Sequence, residues 1–192
     1  MLRNRIGVAI GALIIAAAAS TATIESIDVD RQGETYSLHA ETVLDASPAA
    51  IFAVLLDYER FGRISHVYKE YGYLDPAPDG TPIVFTRMEG CLMFYCKSMK
   101  RVERLETNEP GHIRTVTLPE QSDFKHSISE WFLVQDSDGT HMIYTLEMVP
   151  DFWVPPVIGP WYLKRTLKQG GGAAIDRIER LAQDVEEAGQ GA

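Results

Sequence analysis

Thr140-His141-Met142-Ile143-Tyr144-Thr145-Leu146-Glu147-Met148-Val149, with the run that follows it, decides the fold. A period of two puts Met142, Tyr144, Leu146 and Met148 on one side of a strand and His141, Thr145 and Glu147 on the other. After Pro155-Pro156 the period changes. Leu163, Leu167, Gly171, Ala174, Ile178, Leu181 and Val185 step by three and four, which predicts one long helix over about Val157–Ala188.

Upstream of that strand, Asp138-Gly139 is a hairpin turn, so the strand pairs back onto Lys125–Gln135. Further strands are predicted at His112–Leu118, Cys96–Leu105, Thr81–Glu89 and His66–Leu74, with the turn Asp75-Pro-Ala-Pro-Asp-Gly80 between the last two. Still earlier, Ser47-Pro48 reads as a cap followed by proline at the first helical position, opening a helix over Ala49–Tyr58 that buries Ile51, Phe52, Leu55 and Leu56. A short helix at Glu59–Ile64 follows it, and a strand at Glu34–Leu44 precedes it. The predicted fold is α+β, with seven antiparallel strands. A sheet of that size has one face to cover and only one long helix to cover it, so the sheet must curl around the helix. Such a shape encloses more volume than its side chains fill. Gly170-Gly171-Gly172-Ala173-Ala174 lies mid-helix and admits two readings, a kink or a thinning that leaves room for a ligand.

The chain begins with a basic segment, Met1–Arg5, followed by 14 apolar or glycine residues, Ile6–Ala19, and the small residues Ser20-Thr21-Ala22. That is the layout of a secretory signal peptide over 1–22, too short to span a bilayer. Residues 23–33 read as a loose polar lead-in, 34–188 as a single ligand-binding domain, and 189–192 as a tail. The expected location is therefore periplasmic or secreted, with a soluble mature protein. Removing Arg3 and Arg5 takes the formal net charge from −9 to −11. Such an acidic balance excludes nucleic acid as a partner. Lys97, Lys100, Arg101 and Arg104 form a local basic cluster that reads as a solvated face.

Cys91 and Cys96 are the only cysteines. In one straight strand they would stand about 16 Å apart on opposite faces. They can form a disulfide only if Leu92-Met93-Phe94-Tyr95 makes a turn; otherwise they are two buried thiols. The five histidines, His39, His66, His112, His126 and His141, show no metal-ligand spacing, and no nucleophile or nucleotide motif occurs, so neither metal nor cofactor is expected. Arg87 and Glu89 share one strand face with Phe85, and could orient a ligand's polar head or form a surface ion pair. The loop Val149–Pro156 carries Phe152 and Trp153 where the last strand hands over to the helix. These two either gate the cavity, with transient membrane contact, or plug the core.

Several strings resemble the START-like helix-grip superfamily, the SRPBCC group that includes polyketide cyclases and coenzyme Q-binding proteins. They are Ala46-Ser47-Pro48-Ala49-Ala50-Ile51-Phe52-Ala53-Val54-Leu55-Leu56-Asp57-Tyr58 with Phe61, and Phe124-Lys125-His126 with Trp131 and Gly139. The resemblance covers about Glu34–Ala182. It implies a deep apolar cavity between sheet and C-terminal helix, for a lipid, isoprenoid, quinone or sterol-like molecule. The residues then expected to contact ligand are Phe85, Arg87, Glu89, Trp131, Tyr144, Leu146, Met148, Trp161 and Leu167. The expected function is an exported binding or carrier protein for a hydrophobic small molecule. The alternative is a cyclase or aromatase using Arg87, Glu89 or His126 as acid and base.

Overall fold

The structure is a computed structural model that describes residues 23–92, 95–154 and 159–191; at 23, 91, 92, 95 and 159–170 only the backbone is described. The predicted signal peptide and part of the Val149–Pro156 loop lie outside the described residues.

Eight strands form one antiparallel sheet: β1 (Thr23–Gln32), β2 (Thr35–Leu44), β3 (Tyr68–Leu74), β4 (Ile83–Leu92), β5 (Tyr95–Asn108), β6 (His112–Thr117), β7 (Phe124–Asp136) and β8 (Gly139–Pro150). Their order across the sheet is β1-β2-β8-β7-β6-β5-β4-β3. The chain leaves β2 through α1 (Pro48–Leu56) and a 3-10 helix, Tyr58–Arg63, which carry it to the far edge at β3. From there it meanders back until β8 pairs with β2, and α2 (Gly159–Gln190) follows. This is the helix-grip arrangement, with one strand more than the sequence reading counted.

The extra strand is β1, in place of the loose lead-in expected at 23–33. Its register shifts between Ile24 and Ser26, so Ile24, Ile27 and Val29 fall opposite Thr42, Ala40 and Leu38 of β2. The bulge sets the apolar residues at a spacing of three and then two, which hides the alternation a strand is recognised by. Gly33, at φ +63°, closes the two-residue turn into β2, a conformation glycine adopts without steric penalty.

The glycine stretch of α2 packs against this same strand. A Cβ on Gly171 would stand 4.0 Å from Ile27 Cδ1, and one on Gly172 would stand 3.7 Å from Ile24 Cδ1. The thinned helix face is therefore filled by the β1 side chains at these two positions, an outcome neither sequence reading included.

α1 starts where expected. Ser47 Oγ accepts from Ala50 N at 3.3 Å, and Pro48 occupies the first turn. The second half of α2 clasps this start. Glu179 accepts from Asp45 N and Glu186 from Ser47 N, both at 2.7 Å, while Gln183 Nε2 donates to Asp45 O. Beneath the clasp lies the apolar core: Leu44, Ile51, Phe52, Leu55 and Phe61 against Leu105, Ile113, Leu133, Met142 and Ile178. It fills the α1 end of the sheet's inner face. The other end of that face is different in kind.

Candidate ligand-binding site

Strand alternation brings the inner-face residues of β5 to β8 into register toward that end. Thr115 on β6 lies opposite Leu105 of β5 and Ser129 of β7, and Thr117 opposite Glu103. On β8, Leu146 pairs with Ser129, Tyr144 with Trp131 and Met148 with Ser127. Odd-numbered Arg101, Glu103 and Leu105 share one face of β5 because successive side chains point to opposite sides. Arg101 thus turns inward, away from the solvated cluster in which its sequence neighbours place it, and only 9% of it is exposed. Arg104, on the opposite face, bonds Asp79 and Thr81.

Arg101 and Glu103 form a buried ion pair through Nη2 and Oε1. Thr115 Oγ1 stands 2.9 Å from Glu103 Oε1 and 2.7 Å from Ser129 Oγ, and Arg101 Nη2 reaches Ser129 Oγ at 3.4 Å. The Tyr144 hydroxyl lies close to Arg101 and Ser129, whose polar groups act against the effect of its burial. Burial alone would lower the Arg101 pKa. The paired Glu103 carboxylate opposes that effect, and the guanidinium stays charged. Burial pushes Tyr68, Tyr144 and, most strongly, Tyr58 upward, holding all three phenols in the neutral form.

The network is incomplete. Arg101 Nε, Thr117 Oγ1, Ser127 Oγ and Tyr36 OH are buried with no hydrogen-bond partner among the described residues. An unsatisfied buried polar group costs about 1–3 kcal/mol. Four on one face, beside apolar Leu146 and Met148, form a wall with hydrogen-bonding capacity left open. At its edge a pocket of ≈170 Å³ opens between Tyr36, Arg31 and Glu34 on one side and Pro150, Phe152, Trp153 and Val154 on the other. The Arg31 guanidinium lies 5.0 Å from the Tyr36 ring centroid.

Of the residues singled out in the sequence, Tyr144, Leu146, Met148 and Trp131 share this inner face, the Trp131 and Tyr144 rings standing 4.7 Å apart. The alternation around Trp131, ambiguous in sequence, is thereby resolved inward. Phe85, Arg87 and Glu89 do not join them. They lie on the opposite face of β4 from Val84 and Thr86; Arg87 bonds Glu70 of β3 at 3.0 Å, and Glu89 is exposed. His126 is also removed from the cluster. It faces Glu147 at 3.4 Å. The side chains of Trp161 and Leu167 lie outside the described residues.

Phe152 and Trp153 divide the two roles offered for them jointly. Phe152 packs edge-on against Phe124, with ring centroids 5.9 Å apart and Lys97 Nζ 5.0 Å from its centroid, whereas Trp153 is 73% exposed. Cys91 and Cys96 are register partners across the β4–β5 hairpin, so the chain does turn between them. Sequence reasoning missed Arg101, Glu103, Thr115, Thr117, Ser127 and Ser129. The signal was present as polar residues at a spacing of two along β5, β6 and β7.

The polyketide cyclase / dehydrase and lipid transport family matches residues 35–183, and the chain belongs to that family. No curated protein matches it. Among solved structures it resembles a START superfamily protein from Mycobacterium smegmatis, at 21% identity, TM-score 0.56, and 77% and 98% of the two chains covered. The Zhui aromatase/cyclase from Streptomyces sp. R1128 is similar at 13% identity and TM-score 0.57, over 78% of this chain and 94% of that one. Human STARD10 follows at 9% identity and TM-score 0.60, over 85% and 76%. At these identities the likeness is one of fold.

Proposed function

We propose that this chain is an exported carrier for a hydrophobic small molecule, held on the inner face of the sheet beneath α2. One observation carries the reading. That face combines apolar side chains with a charged, hydrogen-bonding network whose partners are not all supplied by the described residues. Ligand sites have this composition: apolar walls and a few convergent polar groups. The family description, which joins cyclases to lipid transport, supports both a carrier and an enzyme. The chemistry favours the carrier. A carrier needs only such a wall and an entrance, and the pocket between Tyr36 and Trp153 supplies the second.

Export is supported by the basic start, the short apolar run and the small residues at 20–22. Among the described residues no helix is long and apolar enough to cross a membrane. Cross-strand register and the even cysteine count support a Cys91–Cys96 disulfide, which an oxidising compartment would maintain. Exposed Trp153, beside the pocket, is the candidate point of membrane contact during exchange. The test is transfer of a fluorescent hydrophobic probe between vesicles, tried with an acyl lipid and with an oxygenated aromatic. Catalytic amounts of mature protein should accelerate it, and Trp153→Ser should slow it; no acceleration over buffer would refute the carrier.

A further inference from the structure

Acidic side chains are unevenly spread along the chain. Residues 90–102 contain none, and neither do residues 152–175, although the protein carries 27 acids against 18 lysines and arginines. The first stretch holds Lys97, Lys100 and Arg101, the second Lys164, Arg165 and Lys168. Without these two stretches the formal net charge falls from −9 to −15.

The fold brings the two together. The first covers the end of β4 and the start of β5, and the second runs from the loop after β8 into α2. They meet where Lys97 Nζ lies 5.0 Å from the Phe152 ring centroid, beside Trp153, which is 73% exposed and lines the pocket. Glu34, the carboxylate in that lining, is held by Lys125 at 3.3 Å. On α2 the positions 161, 164, 165 and 168 stand three and four apart. Trp161, Lys164, Arg165 and Lys168 therefore belong to one helix face, about a third of a turn round from Leu163 and Leu167.

We propose, resting on the reading that Trp153 meets a membrane, that this mouth is a docking surface for an anionic phospholipid bilayer. Tryptophan favours the headgroup level, and lysine and arginine beside it attract anionic lipid. The acidic net charge does not oppose this. Screening limits each charge to a reach of about 8–10 Å, so a bilayer at the mouth feels the local cations first. The acidic remainder is repelled by the same bilayer, which turns the molecule mouth first.

Co-sedimentation of the mature protein with vesicles of phosphatidylcholine, alone or with about one-third phosphatidylglycerol, tests this. Binding should be at least about tenfold tighter to the anionic vesicles and should weaken as salt is raised. Lys164→Gln together with Lys168→Gln should weaken it about twentyfold, near fivefold per charge, and leave phosphatidylcholine binding unchanged. Lys97→Gln, on β5, should alone cost about fivefold, so the result does not hang on the helix variant. Arg180→Gln removes a charge from the same helix about 18 Å beyond Lys168 and should change binding less than about twofold. Equal affinity for the two vesicles, or a loss from Arg180→Gln as large as that from Lys97→Gln, would overturn the proposal. Either result leaves the carrier standing where probe transfer between phosphatidylcholine vesicles persists. A retained preference for anionic vesicles without any transfer would remove the carrier and keep the docking surface.

Discussion

Arg101 and Glu103, two residues apart on β5, are paired on the inner face of the sheet with Glu103 only 3% exposed. A buried pair of this kind is expensive to break and contributes little net stability, because desolvation of both ions opposes their attraction. Glu103→Leu, which strands the guanidinium, should therefore destabilise the protein by about 3–5 kcal/mol, and Arg101→Met by a similar amount. The double variant should recover most of that loss, yet bind ligand poorly. Denaturant unfolding of the three variants checks it; additive losses would mean that the pair is not coupled.

Phe152 and Trp153 should separate cleanly. Phe152→Ser removes a ring packed on Phe124 and should cost about 1–3 kcal/mol, less than the ~3–5 of a fully buried aromatic. Trp153→Ser should change stability by less than about 0.5 kcal/mol, because its ring is largely in solvent. Equal losses by thermal melting would place both rings in the core.

The tyrosines should report the cavity's burial. Tyr58, Tyr68 and Tyr144 have folded pKa values raised above the ordinary 10, mainly by desolvation. A phenol with a raised folded pKa adds stability that is complete below pH 10 and is lost as pH climbs toward the folded value. Tyrosinate absorbance at pH 11 should thus be smaller in the folded protein than in denaturant. It should then rise together with loss of structure. Full ionisation at pH 11 with the fold intact would contradict the burial.

Protein recovered from an oxidising compartment should show no reactive thiol after denaturation without reductant. Reduction should lower stability by no more than ~3 kcal/mol, the figure for a loop of about 15 residues, since the loop closed here is shorter. Two labelled cysteines would argue for buried thiols instead.

The α1 cap, the hairpin at Asp138-Gly139 and the long C-terminal helix were legible because each depends on local chemistry or a regular period, although Val185, the last residue of the predicted stripe, is exposed. β1 was hidden by a bulge that broke its alternation. The inner face at Tyr144, Leu146 and Met148 could be read from β8 alone. The ion pair could not. In sequence Arg101 belongs to a basic cluster, and only the register of β5 against β4 and β6 turns it inward while Lys100 and Arg104 face out. Arg87 and Glu89, left open between a ligand contact and a surface ion pair, fall on the face opposite Thr86 for the same reason, where Arg87 pairs with Glu70. Spacing shows that two residues share a face, whereas the covering elements decide which face is inside.

Native mass spectrometry of the mature protein, purified without detergent, tests the central claim most directly. The predicted result is a one-to-one complex with an apolar molecule that organic extraction removes and that Leu146→Trp, which fills the inner face, abolishes while the fold is kept. A protein of bare polypeptide mass that takes up neither lipid nor oxygenated aromatic when offered them, or a complex unaffected by Leu146→Trp, would contradict it.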